Sequence, residues 1–542
     1  MIKALILQGG DYHPFETCAG MLQSTLQTTN RAACTITTDR NALLDLSNYQ
    51  VVILYVQGGA LTDAQEQSLC DFVANGGGVV GIHCAADAFT KNKLYMEMIG
   101  SKFAGHGPVT EFTVNLSDAN HAVMQGVHEF RVTDEFYILE KTTKADLHWL
   151  CSGHWQSGLH PLAYTRAYKK GRVFYTALGH DERAFRHPMF QRMVRRAVTW
   201  AANVPAPKPV RFGVVGYGGS FSMGKFHAEA VGKTPGLELT AICEIDEARR
   251  KTAHEEFPQA TLCASVDELI KSKQVDAAVI VTPHNTHAPI ALDLLNAGVG
   301  VVCEKPFCIT VDEATQMIDA ARKHNVLLTA FHNRRWDADY LAIKDIIAKG
   351  LLGDVFQIEA YMGDYKHPGY WWRSHKPVSG GAIYDWGAHF VDWMLNLMQP
   401  HAMESVNGFF TKSVWHDVTN EDHCRASIRF AGNRTASLEI SSLAAVHKPK
   451  WRILGTKGGL TSGWEPPIKV TTYVSGREEK RELPFIEGSW NDYYLGVADH
   501  LRDGEPLHVT PESARRVIAV LNLAEIAAKT GQPQPVPFEK ND

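Results

Sequence analysis

The 542-residue sequence contains no apolar run of 18 residues, no C-x-x-C pair, no block of like charge and no repeat of fixed period. The first absence excludes an apolar transmembrane helix. The second removes the thiolate spacing of zinc ribbons and dithiol redox centres. The last two exclude interaction tails and solenoids. Positive charge is not in excess either: 54 Lys and Arg against 59 Asp and Glu leave a formal −5. That balance offers no footprint for nucleic acid or an anionic membrane, so neither is expected as a partner. The N-terminus enters an apolar run at Ile2 to Leu7 without the charged-then-apolar layout of a signal peptide. Several of the ten cysteines sit in apolar stretches, as reduced buried thiols do. A cytoplasmic protein is expected.

Histidine is the surplus, 25 in all with ten before residue 205, more than packing needs. At roughly 150 residues per domain the chain has room for two to four lobes. Pro205, Pro207 and Pro209 alternate in a stiff connector. Before it, strand-like runs (2–8, 51–56, 78–83, 172–177) alternate with helix-like stretches (15–28, 63–75, 188–202), which predicts an α/β sandwich with a parallel sheet over 1–204. After it, strands at 211–215, 238–243, 277–281, 299–303 and 326–330 interleave with helices, a doubly wound Rossmann layout over 205–330. Beyond 331, alternating strands at 355–361, 404–411, 423–430, 434–442 and 450–454 with few helices predict a C-terminal α+β domain built on an open, largely antiparallel sheet, 331–542.

Gly216-Tyr217-Gly218-Gly219 through Gly224 forms a glycine-rich turn between a strand and a helix, where backbone approaches a pyrophosphate on helix N-terminal amides. Five residues separate Gly218 from Gly224, where the usual fingerprint has two. Glu244 ends the second strand, where a carboxylate accepts from both adenosine-ribose hydroxyls and repels a 2′-phosphate. NAD is therefore expected over NADP, with Arg249 and Arg250 blurring the exclusion. The loops Thr282-Pro283-His284 to His287 and Glu304-Lys305-Pro306 open at the carboxyl edge of the next two strands, where ligands of such sheets bind. Further on, Gly380 to His389 reads as a helix start with Asp385 and His389 four apart on one face.

These segments (T-P-x-x-x-H, E-K-P, G-G-x-x-x-D-x-x-x-H) resemble the Gfo/Idh/MocA family of sugar and polyol dehydrogenases over about 209–540. The resemblance implies that Lys305, Asp385 and His389 are catalytic and that the Lys305-Pro306 bond is cis. It also implies coenzyme contacts from Gly216, Gly218, Gly219, Gly224, Glu244, Thr282, Pro283, His284, His287, Glu304 and Lys305. The chemistry agrees: removing hydride from a carbinol needs a base on the hydroxyl proton, and His389 titrates in range. Lys305 would stabilise alkoxide character and Asp385 would orient its neighbours. Arg334, Tyr365, Trp372 and Arg373, with Arg335 and Trp371 beside them, suit a hydroxyl-rich ring, which makes a sugar or glycoside the expected substrate.

In the first domain, Gly78 to Asp87 has the strand-to-turn geometry of a nucleophile elbow. The place of an amidotransferase's nucleophilic Cys holds His83, so amide hydrolysis is not expected, and Cys84 is expected to be a buried thiol. His13, His106 in Gly105-His106-Gly107-Pro108, Asp134-Glu135-Phe136-Tyr137 and His180 in Gly179-His180-Asp181 follow other strands. Together these segments resemble the ThuA-like family, named for trehalose utilisation, over 1–204, which implies an amidotransferase-like fold and a link to sugar 3-oxidation. His83, His106, Glu135 and His180 are the candidate acid/base groups. His13, His83, His106 and His180 are candidate ligands for a divalent metal, although no i, i+4 pair supports one.

The leading expectation is a bifunctional carbohydrate enzyme, a C3 glycoside dehydrogenase coupled to isomerisation or elimination of the keto-sugar. Two alternatives stand beside it: a redox-neutral glycoside hydrolase that oxidises, eliminates and re-reduces within one NAD site, and a dehydrogenase with a non-catalytic sugar-binding module. Homo-oligomerisation through the open sheet is expected.

Overall fold

A computed structural model describes residues 1–28, 31–156, 158–205, 207–218 and 220–539. It divides into two compact units, Met1–Lys208 with Asp499–Pro506, and Pro209–Ala498 with Leu507–Asp542.

The first unit is built on a nine-stranded sheet. Its strands run, side by side, Ala32–Thr37, Ile2–Gly9, Val51–Val56, Gly78–Ile82, Gly171–Thr176, Gly158–Tyr168, His148–Trp155, Thr110–Leu116 and Phe130–Asp134. Val51–Val56 and Gly78–Ile82 are buried at every position, as strands covered on both faces must be, and the first five strands pair in parallel. The four strands read from the sequence are thus parallel, and the antiparallel strands that widen the sheet were not read from it. Gly158–Tyr168 and the three strands beyond it pair antiparallel. The cause is loop length: Tyr168 and Gly171 face each other across a two-residue hairpin, which cannot make a parallel crossover.

In the second unit, six parallel strands lie in the order Thr261–Cys263, Leu237–Cys243, Val210–Val215, Ala277–Ile280, Gly300–Cys303 and Leu328–Ala330. Both strand-end loops on either side of Ala277–Ile280 therefore open at the same carboxyl edge. A second sheet of nine strands starts at Val355–Gly363. Only the pair Val355–Gly363 and Arg434–Ser441 is parallel, and the rest are antiparallel. Gly458–Ser462, Ile468–Val474 and Arg477–Leu483 extend it beyond the strands read from the sequence.

The helices Trp386–Leu397 and Pro511–Thr530 cover one face of this sheet. The approach of the second is close: a Cβ built on Gly408 would stand 1.9 Å from the carbonyl oxygen of Ala524. Backbone on both sides leaves nothing soft to yield. Gly408→Ala is therefore expected to destabilise the protein by about 1–3 kcal/mol, read as a lowered Tm in thermal melts. An unchanged Tm would contradict this packing.

Candidate functional site

The turn after Val210–Val215 depends on its glycines. Gly216 has φ +96°, and a Cβ on Gly224 would meet the Gly216 carbonyl oxygen at 2.4 Å. The extra residues are accommodated by Phe221 and Ser222 in the left-handed region, φ +66° and +52°, just before the helix Met223–Lys233. The N-cap residue Ser222 makes no side-chain cap hydrogen bond to that helix. Gly219 lies outside the described residues. The Glu244 carboxylate is buried and accepts from the main-chain N–H of Tyr217 (2.7 Å) and of Asp246 (2.9 Å), which ties it to the turn. Arg249 packs against Gly218 and faces the cleft.

From this turn a cleft of about 480 Å³ runs past Thr282, Pro283, Lys305 and Asn333 to Asp385 and His389. Lys305 Nζ donates to Asp385 Oδ1 at 2.6 Å, and Arg373 donates to the same oxygen at 2.8 Å. Burial would push the Asp385 carboxyl up, but the two cations outweigh it and hold it well below the usual carboxylate range. The Lys305-Pro306 bond is cis. His389 is buried one helical turn beyond Asp385. Burial, then the charges of Lys305 and Arg334, depress its imidazole well below 6.5, so it is a neutral base at ordinary pH. Lysine, aspartate and histidine from segments far apart in sequence thus share one cleft with the glycine turn.

Aromatic rings form the walls. Trp386 and Trp490 flank the Arg334 guanidinium at 4.5 and 5.0 Å, and Arg373 lies 5.1 Å from the Trp372 ring. Trp386, Trp490 and Asn333 escape a reading by motif, because only the folded chain brings them to Lys305. Tyr365 is not part of the lining. It is 55% exposed, two residues past the strand Val355–Gly363, with Trp415 at its edge. Arg335 spends its guanidinium on the buried Asp392.

Three further expected coenzyme residues, His284, His287 and Glu304, line the cleft while engaging protein groups. His287 is fully buried, with Nδ1 2.8 Å from Pro306 O and Nε2 2.8 Å from Thr282 O, tying the two loops together. Glu304 accepts from the Lys305 N–H at 2.8 Å and faces His227 Nε2 at 3.1 Å, while His227 Nδ1 reaches the Tyr494 hydroxyl at 2.7 Å. This chain fixes the backbone from which Lys305 projects. His284 donates from Nδ1 to Ser379 O, and burial, with His287 beside it, lowers its pKa to about 3.

A second cluster sits in the first unit. His83 ends the strand Gly78–Ile82 with φ +47°, the sharp turn the sequence suggested. Its Nδ1 donates to Ala177 O at 2.6 Å, which leaves the lone pair of a neutral ring on Nε2. The His13, His83 and His180 rings meet edge to face, with centroids 4.9 to 5.6 Å apart. Glu135 places Oε2 3.0 Å from His180 Nδ1 and 3.5 Å from His83 Nε2, and Oε1 3.3 Å from His106 Nδ1. Burial raises the Glu135 pKa, but the imidazoles win and leave it lowered. The buried Asp134 accepts from the N–H groups of Gly179 and His180, fixing the His180 loop. His106 stands apart, with 44% of its side chain exposed. Cys84 is fully buried, and burial pushes its thiol well above 9, so it is inert as a nucleophile. All ten cysteines are free thiols.

Comparison with known proteins agrees with this division. The trehalose-utilisation model ThuA matches residues 3–201, the NAD-binding Rossmann-fold model of the Gfo/Idh/MocA oxidoreductase family matches 210–332, and the Gfo/Idh/MocA C-terminal domain model matches 340–461. The uncharacterized oxidoreductase YdgJ of Escherichia coli is 28% identical over 347 residues, covering 60% of this chain and 96% of YdgJ. The scyllo-inositol 2-dehydrogenase (NADP(+)) IolW of Bacillus subtilis is 27% identical over 346 residues, 59% of this chain and 94% of IolW. Among solved structures, an NAD-binding protein from Listeria innocua superposes with a TM-score of 0.55 at 26% identity, over 60% of this chain and 97% of that one.

Proposed function

Because the chain is a fusion of a ThuA domain with an oxidoreductase of the Gfo/Idh/MocA family, we propose that its second unit transfers hydride between NAD and a sugar hydroxyl, and that its first unit processes the resulting keto-sugar. The observation that carries the reading is the meeting of Lys305, Asp385 and His389 in the cleft that begins at the glycine turn. Bound NAD supplies a hydride acceptor at its nicotinamide. His389 takes the hydroxyl proton, which its depressed pKa keeps it free to do. Lys305 donates a hydrogen bond to the same oxygen as negative charge develops there, and Asp385, itself held by Arg373, keeps the ammonium in place. Arg334, Trp372 and Arg373 supply forked donors and flat faces for a polyhydroxylated ring.

The test is incubation of the full chain with NAD or NADP and a panel of glycosides and polyols, following nicotinamide absorbance and product mass together. Coenzyme reduction by at least one sugar is expected. No reduction by any sugar, with no coenzyme uptake in calorimetry, would overturn the reading. NAD is the proposed coenzyme, and the position of Glu244 makes its basis testable. Since the Glu244 oxygens hold the Tyr217 and Asp246 amides, Glu244→Ala is expected to raise KM about tenfold for NAD and NADP alike. A selective gain in NADP use would instead mean that Glu244 repels a 2′-phosphate.

In the first unit, Glu135 with His83, His106 and His180 around it supplies the acid/base group for a ketone whose neighbouring C–H is acidified. A homo-oligomer is proposed through the open sheet of the second unit, where the exposed Phe356 and Tyr473 share one groove.

A further inference from the structure

Three imidazoles with perpendicular planes converge in the first unit without a centre to converge on. One ring nitrogen from each of His13, His83 and His180 lies within 4.8 Å of the other two. Zinc-type ions hold imidazole nitrogens at about 2.0–2.1 Å, so side-chain shifts of about an ångström would bring all three onto one ion. Two further observations point to an ion. His83 Nε2 is fully buried and makes no hydrogen bond among the described residues, its nearest acceptor being Glu135 Oε2 at 3.5 Å. Neither ring nitrogen of His13 makes a hydrogen bond among them. Buried polar atoms are rarely left in that state unless something absent satisfies them. In addition, the other nitrogen of His83 donates to the Ala177 carbonyl, the outer contact by which a protein fixes the tautomer and aim of a ligating imidazole. An ordinary packed histidine has no need of all three features.

We infer that His13, His83 and His180 form a binding site for one divalent first-row transition ion, whose open positions take the carbonyl and adjacent hydroxyl oxygens of an α-hydroxyketone. Imidazole-only donors favour zinc, cobalt, nickel or iron over magnesium and calcium. Glu135 lies beside the rings of His83 and His180 and is outside the ligand set. Its side chain is 12% exposed and that of His180 is 19%, so the site opens to a small molecule. The second half of the inference rests on the keto-sugar reading proposed above. An ion on the carbonyl oxygen acidifies the neighbouring carbon. The Glu135 carboxylate then takes that proton, the C–H electron pair becomes the carbon–carbon double bond of an enolate, and the former carbonyl oxygen carries the charge on the ion.

The test uses the full chain, purified without a polyhistidine tag or chelator. Metal content is measured, the protein is stripped by chelator dialysis, and Co²⁺ and Zn²⁺ are titrated back. About one equivalent is expected to bind, with a raised Tm and visible Co²⁺ absorption bands. The double variant His13→Ala, His180→Gln is expected to lose the bands and the Tm increase, while His148→Ala, at an exposed histidine paired with Asp118, keeps both. Circular dichroism of the double variant separates a lost site from a lost fold, and should it misfold, the two single variants are titrated in its place. Failure of the stripped protein to take up either ion, or full binding by variants that have lost His13 or His180, would overturn the site. NAD reduction by the second unit is followed in the same samples. In the unaltered protein, absence of metal binding with NAD reduction intact would overturn this inference alone, whereas failed NAD reduction with metal bound would overturn the dehydrogenase reading alone.

Discussion

Lys305→Met is expected to lower kcat for NAD reduction about 10²- to 10⁴-fold, the range associated with losing a positioned proton-transfer or charge-stabilising group. Methionine keeps the length and most of the packing, so the loss would come from the charge and its donors. The same variant should move the pH profile. Burial lowers the His389 pKa most, and the Lys305 charge is the next contribution, so the base form persists as pH falls through 6.5. In the unaltered enzyme, kcat/KM is expected to stay level there, with its acid limb further down. Without the ammonium, and with Asp385 less fully neutralised, protonating His389 becomes easier. Its pKa rises, and the acid limb shifts to higher pH. A variant with reduced kcat and an unmoved acid limb would show that His389 is not the titrating base. A Lys305→Met enzyme of undiminished kcat would remove Lys305 from the chemistry.

The parts of this cleft legible in the sequence are those carried by short local patterns. Thr282 to His287, Glu304 to Pro306 and Gly380 to His389 each place their residues at a strand end or helix start, and periodicity finds those positions without a structure. What those patterns cannot give is direction. Glu244 stands at the end of its strand as expected, and its carboxylate accepts from the Tyr217 amide at 2.7 Å, a contact no local pattern announces. His287 and Glu304 belong to the right loops but face main-chain groups and His227. The walls depend on long-range packing: Arg334 sits between Trp386 and Trp490, and nothing local relates those three. In the first unit the histidine surplus points to a polar site, and the fold decides which rings share it. His106, at the exposed end of its strand, belongs to its margin.

Glu135→Gln is expected to produce the other large effect. A 3-keto-glycoside supplied directly to the protein bypasses the oxidation step, so its consumption reports on the first unit alone. Glutamine preserves the size of Glu135 and its main-chain anchorage through the Asp134 carboxylate, but an amide cannot accept a proton from carbon. Consumption should fall about 10²- to 10⁴-fold. His106→Ala should cost far less, since that ring is largely solvated and meets Glu135 only at 3.3 Å. The same variant also distinguishes a base from a ligand. If Glu135 moves the proton while three imidazoles hold the ion, Glu135→Gln will bind Co²⁺ in the usual amount yet leave the ketone untouched. Loss of the ion together with turnover would place the carboxylate on the metal, and unimpaired turnover would place the proton transfer elsewhere in the unit.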